Sequence, residues 1–278
     1  DTESLDIDGS SSETLAAGDD FTIMTWNMGY AGLGENADFF MDGGEHVRSC
    51  TESQVNDNID AVVAQIQKEN ADVVFLQEVD RDSKRSYGID ELEKITSSLD
   101  GYNSTFARNY KVAYVPYPLP TIGKVDCGIS TLSAFSVDDS QRISLPCPFK
   151  YPIRLGNLKR CLMVDRVAIE GSDKELVLVN LHLEAYDDGE GKAAQTKQLR
   201  ELLQEEAEKN NVELPKMYLG AEVYYFSGIG QASMIPELCI QGTGILLLEM
   251  PFTQWTSDML DNVRALVNRP NMKVVLAH

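Results

Sequence analysis

Between residues 21 and 80 the apolar positions change period twice. Phe21-Thr22-Ile23-Met24-Thr25-Trp26 is rich in β-branched and aromatic residues and runs into Asn27-Met28, which predicts a strand ending in a polar amide. Val55, Ile59, Val62, Val63 and Ile66 then recur at helical spacing across residues 54–70, one face of a helix. Val73-Val74-Phe75-Leu76 is an unbroken apolar run that continues into Gln77-Glu78-Val79-Asp80, as in a strand buried on both faces that delivers a carboxylate at its end. The unit reads strand, helix, strand, with Asn27 and Glu78 at neighbouring strand ends.

Farther along the chain the pattern is more broken. Residues 29–52 scatter Gly, Asp and Asn without period and predict a long loop overhanging the strand ends, in which His46 reads as a solvated histidine. A helix is predicted over residues 90–99. Strands are predicted over residues 102–107, 112–117 and 128–137, separated by Pro116-Tyr117-Pro118-Leu119-Pro120 and other turn formers. Residues 161–170 and 175–183 predict a hairpin closed by Gly171-Ser172-Asp173, its second strand ending in Asn180-Leu181-His182-Leu183. Residues 191–210 form an amphipathic helix with Ala194, Leu199, Leu202, Leu203 and Ala207 on its buried side. Residues 1–20 hold Ser, Gly, Asp and Glu, few apolar residues and no Lys or Arg, and predict a disordered acidic tail. With no initiator Met, that tail suits the spacer after a removed export signal and leans toward a secreted or cell-surface setting.

Composition narrows the partners. The 278 residues, 43% of them hydrophobic, are enough for one large domain or two small ones with a sizeable core. Lys+Arg 24 against Asp+Glu 44 leaves a net charge of −20, which repels a phosphate backbone and disfavours bulk nucleic-acid binding. A small phosphorylated substrate remains compatible, because net charge governs long-range steering and leaves the local chemistry of a site open. Five cysteines form no CxxC pair, so a zinc site is not expected and the odd number leaves at least one thiol free. No apolar run is long enough to span a membrane.

Candidate chemistry follows from placement. In layered α/β proteins ligands collect at strand ends, and an acidic residue fixed there by a sheet can hold a divalent cation; Glu78 is that residue, with Asn27 beside it. Arg81, Lys84 and Arg85 come directly after the Glu78 strand. Of these, Arg81 and Arg85 are candidates for bidentate contact with a substrate phosphate.

Thr25-Trp26-Asn27-Met28-Gly29, a helix, and then Asp72-Val73-Val74-Phe75-Leu76-Gln77-Glu78-Val79-Asp80 resemble the start of the endonuclease/exonuclease/phosphatase superfamily of metal-dependent phosphoesterases. The resemblance implies an α/β four-layer sandwich of two mixed sheets flanked by helices, over about residues 21–211. It implies Mg²⁺ or Mn²⁺ on Glu78, with Asn27 positioning the cation or the phosphate, and a hydrogen bond or proton from His182 to the scissile phosphate. Gly128-Ile129-Ser130-Thr131-Leu132-Ser133-Ala134-Phe135 is similar to a family stretch that carries a basic residue at the position of Ala134. Asn109 and Tyr110 loosely match a place where related enzymes carry polar site residues.

After residue 211 that resemblance stops. The family's G-D-x-N and closing D-H motifs are missing from the sequence. Leu219-Gly220-Ala221-Glu222-Val223, Ile245-Leu246-Leu247-Leu248-Glu249-Met250-Pro251-Phe252 and Val274-Val275-Leu276-Ala277-His278 resemble instead the second half of bacterial tyrosine phosphatases of the polymerase-and-histidinol-phosphatase type. That likeness implies metal-ligating or catalytic roles for Glu222 and His278, although the opening H-x-H motif is missing. Residues 212–278 are thus expected either to complete the sandwich, with Glu222 returning a carboxylate to the site, or to form a separate fragment in a fusion of two incomplete domains. Three functions are compatible with the chain: a metal-dependent phosphoesterase with impaired activity, a metal-dependent tyrosine phosphatase, or a catalytically silent fusion or binding protein.

Overall fold

The structure, a computed structural model of the chain, describes residues 1–33, 46–48, 50–147, 158–183, 190–213, 222–240, 242–251 and 255–277. The chain divides into two compact units, Asp1–Glu213 and Leu214–His278.

The first unit opens with three short strands, β1 (Thr2–Ser4), β2 (Ile7–Gly9) and β3 (Leu15–Ala16), followed by β4 (Ile23–Asn27), α1 (Glu52–Glu69), β5 (Val73–Asp80) and α2 (Glu91–Ser97). It continues through β6 (Asn103–Val115), β7 (Gly123–Ser133), β8 (Asp139–Ser144), β9 (Cys161–Glu170), β10 (Glu175–Leu181) and α3 (Glu190–Asn210). One sheet has the order β2-β6-β7-β5-β4; the other has the order β1-β8-β9-β10, with β3 added parallel to the far end of β9. Both mix parallel and antiparallel pairs.

The pleat explains the layers. Val74, Leu76 and Val79 of β5 point to one side and pack on Val55, Ile59, Val62 and Ile66 of α1 and on Leu92 and Ile95 of α2. Val73, on the opposite side of β5, meets Phe135, Val167 and Leu178 between the sheets. On the outside of the second sheet, Leu162, Val164, Val177 and Val179 receive Leu199 and Leu202 of α3. Arg166 locks α3 down with a fork onto Glu206, at 2.9 and 2.5 Å. The result is helix, sheet, sheet, helix: an α/β four-layer sandwich. α1 begins at a capping box in which the Thr51 side chain accepts the Gln54 N–H and the Gln54 side chain accepts the Thr51 N–H.

Two sequence expectations need correction, and one strand was not expected at all. Residues 1–20 were expected to be a disordered tail, but β1 pairs with β8, β2 with β6 and β3 with β9, and Leu15 is buried. Backbone hydrogen bonds at sheet edges order a segment whose side chains are almost all polar, because such strands need few apolar residues. The two strands expected over residues 102–117 are one, β6, carrying an irregularity where Arg108 faces Gly128 and Tyr110 faces Cys127. Asp139–Ser144 forms a strand that no sequence pattern announced, since Ile143 is its one apolar residue. All five cysteines are thiols.

The second unit holds β11 (Glu222–Tyr224), α4 (Ile235–Leu238), β12 (Ile245–Glu249), α5 (Ser257–Val267) and β13 (Lys273–Ala277). Its three strands are parallel, in the order β11-β12-β13. Leu246, Leu248 and Met250 pack with Ile229, Ile235 and Leu266 to form its core. Among the described residues, no helix of the chain is long and apolar enough to cross a membrane.

Candidate functional site

β4 and β5 lie side by side and parallel, with Asn27 opposite Gln77. On its other edge β5 pairs antiparallel with β7, and there the register slips: Leu76 faces Ser130 and Val79 faces Gly128. Gln77 and Glu78 therefore stand together against the single residue Ile129, a β-bulge that re-aims a side chain near a strand end. Inside it Glu78 takes a φ of 55°, left-handed backbone that costs a non-glycine residue about 1–3 kcal/mol and concentrates at functional sites. Across β7 from the bulge, a Cβ on Gly128 would come within 2.1 Å of the Ala107 carbonyl oxygen, so only glycine lets β6 approach there.

The Glu78 carboxylate is held by its neighbours. Asn27 Nδ2 donates to Glu78 Oε1 at 3.1 Å, while Asn27 Oδ1 accepts the Gly29 N–H at 3.0 Å. His182 comes directly after β10, and its Nε2 lies 3.8 Å from the same Glu78 Oε1. The Arg160 guanidinium donates to the His182 carbonyl at 3.1 Å. Glu78 and His182 keep 29% and 23% of their side chains exposed, so both can meet a ligand from solvent.

Below the bulge is a buried ionic network. Asp80 is wholly buried; Arg85 donates to its two oxygens at 3.0 and 2.9 Å, and Ser86 Oγ donates at 2.8 Å. The Arg85 guanidinium also lies 3.9 Å over the Tyr30 ring. Glu91 Oε2 accepts the Asp80 N–H at 2.9 Å, and burial, then the Asp80 charge, pushes the Glu91 carboxyl well above the usual carboxylate range. Burial pushes the Cys127 thiol, which faces Asp80 across the strands, up to about 12.

Asn27, Glu78 and His182 are thus brought together. Arg81 and Arg85, expected to contact a substrate phosphate, are turned to structural partners: Arg81 Nε donates to Asp90 at 2.7 Å with its guanidinium over Phe106, and Arg85 serves Asp80. A buried carboxylate two residues past Glu78 needs a cation, and the turn returns Arg85 to it. Asn109 is buried, and its side-chain oxygen accepts from the Cys161 thiol at 3.2 Å. Ala134 donates its N–H to the Asp72 carbonyl. Glu222 opens β11 in the second unit; its side chain, and His278 altogether, lie outside the described residues.

The donors at this site suit a hard divalent cation that keeps most of its water. Mg²⁺ needs one or two carboxylates and keeps several waters, and a single partly exposed carboxylate oriented by an amide fits that demand. Among the described residues no group of three or more His, Cys, Asp and Glu side chains could hold a metal between them. Sequence reasoning missed Glu91 and Asn180, whose buried side chain donates to the Leu76 and Ser130 carbonyls; the signal for the second was the Asn-x-His spacing at the end of β10.

The sequence profile of the Endonuclease/Exonuclease/phosphatase family matches residues 24–211. Among solved structures, an endonuclease/exonuclease/phosphatase from Beutenbergia cavernae is similar over 66% of this chain and 43% of its own, at 24% identity and a TM-score of 0.44. The human Nocturnin catalytic domain, solved with bound sulfate, is similar over 75% of this chain and 64% of its own, at 16% identity and a TM-score of 0.44. TDP2 from Caenorhabditis elegans is similar over 68% of this chain and 43% of its own, at 18% identity and a TM-score of 0.42. The chain therefore spans about half the length of these proteins. No curated protein matches it.

Proposed function

Because the chain belongs to the endonuclease/exonuclease/phosphatase family, its residues 24–211 matching the family profile, we propose that it is a hydrolase of small phosphoesters that works with Mg²⁺ or Mn²⁺ at Glu78. The observation that supports this reading is the meeting of Asn27, Glu78 and His182 at the ends of three strands from two sheets. When bound, the cation supplies charge stabilisation for the transferred phosphoryl oxygens. Glu78 holds it, Asn27 fixes the orientation of the carboxylate, and His182 contacts the phosphate through Nε2. The net charge of −20 favours a small anion drawn in locally over a polyanion.

Turnover by this chain is slow in the same reading. The general base for the attacking water belongs to a G-D-x-N motif that the sequence does not contain. Loss of one such group commonly costs about a hundred- to a thousandfold, and grouped residues act as a unit. Isothermal titration with Mn²⁺ tests the centre of the proposal: the parent binds and Glu78→Gln does not. Equal binding by the two proteins would remove Glu78 from the site.

A further inference from the structure

Asn180 lies on the second sheet, two residues before His182, and is 1% exposed. Its side chain crosses to the first sheet at the β5 bulge. Nδ2 donates to the Ser130 carbonyl at 2.8 Å and to the Leu76 carbonyl at 3.3 Å. Leu76 and Ser130 are the last pair in register before the slip. Oδ1 accepts from Gln77 Nε2 at 2.8 Å, and Gln77 is one of the two bulged residues. One buried amide therefore grips both strands at the point where they part, and also the residue next to Glu78.

We propose that Asn180 is a positioning residue: it holds the bulge open and thereby aims the Glu78 carboxylate at His182. Apolar packing between the sheets would tolerate small sliding of β10 over β5 and β7, whereas three directed hydrogen bonds fix one register and cost free energy if any is left unmade. The same strand then carries His182 to its place, so one residue sets both halves of the site. Partners of this kind behind a metal-binding carboxylate typically govern affinity by about ten- to a hundredfold. The inference rests on the phosphoesterase reading for its chemical consequence, but its structural core does not.

The test uses the full chain with Asn180→Ala and, because a buried amide matters for folding, also Gln77→Ala, which removes the bond to Asn180 Oδ1 and the longer one to Thr25 Oγ1 at 3.4 Å but leaves the Asn180 bonds to Leu76 and Ser130 in place. Amide hydrogen exchange is followed at residues 77–79 against Val74 and Val63, together with Mn²⁺ affinity and the melting curve. Both variants are expected to exchange at least about tenfold faster at Gln77, Glu78 and Val79 with Val74 and Val63 unchanged, and to bind Mn²⁺ about tenfold more weakly while melting cooperatively. If Asn180→Ala does not fold, Gln77→Ala carries the test. Parental exchange at residues 77–79 in the folded variants, or a uniform rise across β5 and α1, would overturn the proposal. A parent that binds no Mn²⁺ would sink the metal reading of Glu78, while the exchange pattern would still decide the role of Asn180.

Discussion

Glu91 is the residue whose environment departs furthest from what its position suggests. As the first residue of α2 it would ordinarily be a solvated carboxylate favoured by the helix N-terminus, yet it is wholly buried against the Asp80 amide. Its carboxyl is pushed well above the usual range, by burial first and then by Asp80. The folded state therefore holds a proton that the unfolded chain has released, so this group's contribution falls as pH rises from about 4.3, the unfolded value, through the raised folded value. Glu91→Gln keeps a carbonyl for the Asp80 N–H without the titration. Its stability relative to the parent is expected to grow with pH over that window, as read from urea midpoints at pH 4, 6 and 8; a difference that stays flat with pH would show that Glu91 does not carry this proton. At this scale the sequence was legible where a residue ends a strand: Asn27 and Glu78 meet as their places in the pattern suggest, whereas His182 was placed with them by the family resemblance and not by the pattern. It was illegible where a partner is chosen by a turn, as with Arg85 folding back on Asp80, because nothing in a basic loop distinguishes a phosphate contact from an internal ion pair.

Among the elements, α1 was readable because it buries one face at helical period, β4 from its β-branched and aromatic residues, β5 from an unbroken apolar run, and β9 and β10 from the turn that joins them. β1 and β2 bury little, and the side chains that β8 buries, Ser140 and Arg142, are polar, so none of the three carries a hydrophobic pattern and none was readable. β1 closes the β8 edge and β2 closes the β6 edge. Deleting residues 1–9 removes both and leaves two open sheet edges. The truncated chain is expected to melt at least about 5 °C lower, on a scale of about 2–4 °C per kcal/mol for a domain of this size, and to aggregate more readily on heating. Calorimetry and light scattering measure the two effects, and an unchanged melting temperature would mean that the edge strands contribute nothing.

Over the whole molecule, the boundary between the compact units falls after Glu213, close to residue 211, where the likeness to the phosphoesterase family ends in the sequence. Residues 1–213 contain both sheets of the sandwich, all three helices that flank them, and Asn27, Glu78, Asn180 and His182. A fragment of residues 1–213 is expected to fold alone, with one cooperative transition and the parent's Mn²⁺ affinity within about twofold. A fragment that stays unfolded by circular dichroism would show that the second unit is needed to hold the first. The long reach of β1, β2 and β3 also bears on how the chain comes to be folded. Thr2 sits opposite Ile143, Ile7 opposite Thr105 and Leu15 opposite Ile169, so the strand partners of this segment all come much later in the chain. The segment must wait, acidic and unpaired, until two sheets exist to receive it. Contacts of such long sequence separation are slow to close; bonds absent from the folding nucleus slow unfolding and leave the refolding rate alone, and in that case these edge strands act as a latch on time rather than as a guide to structure.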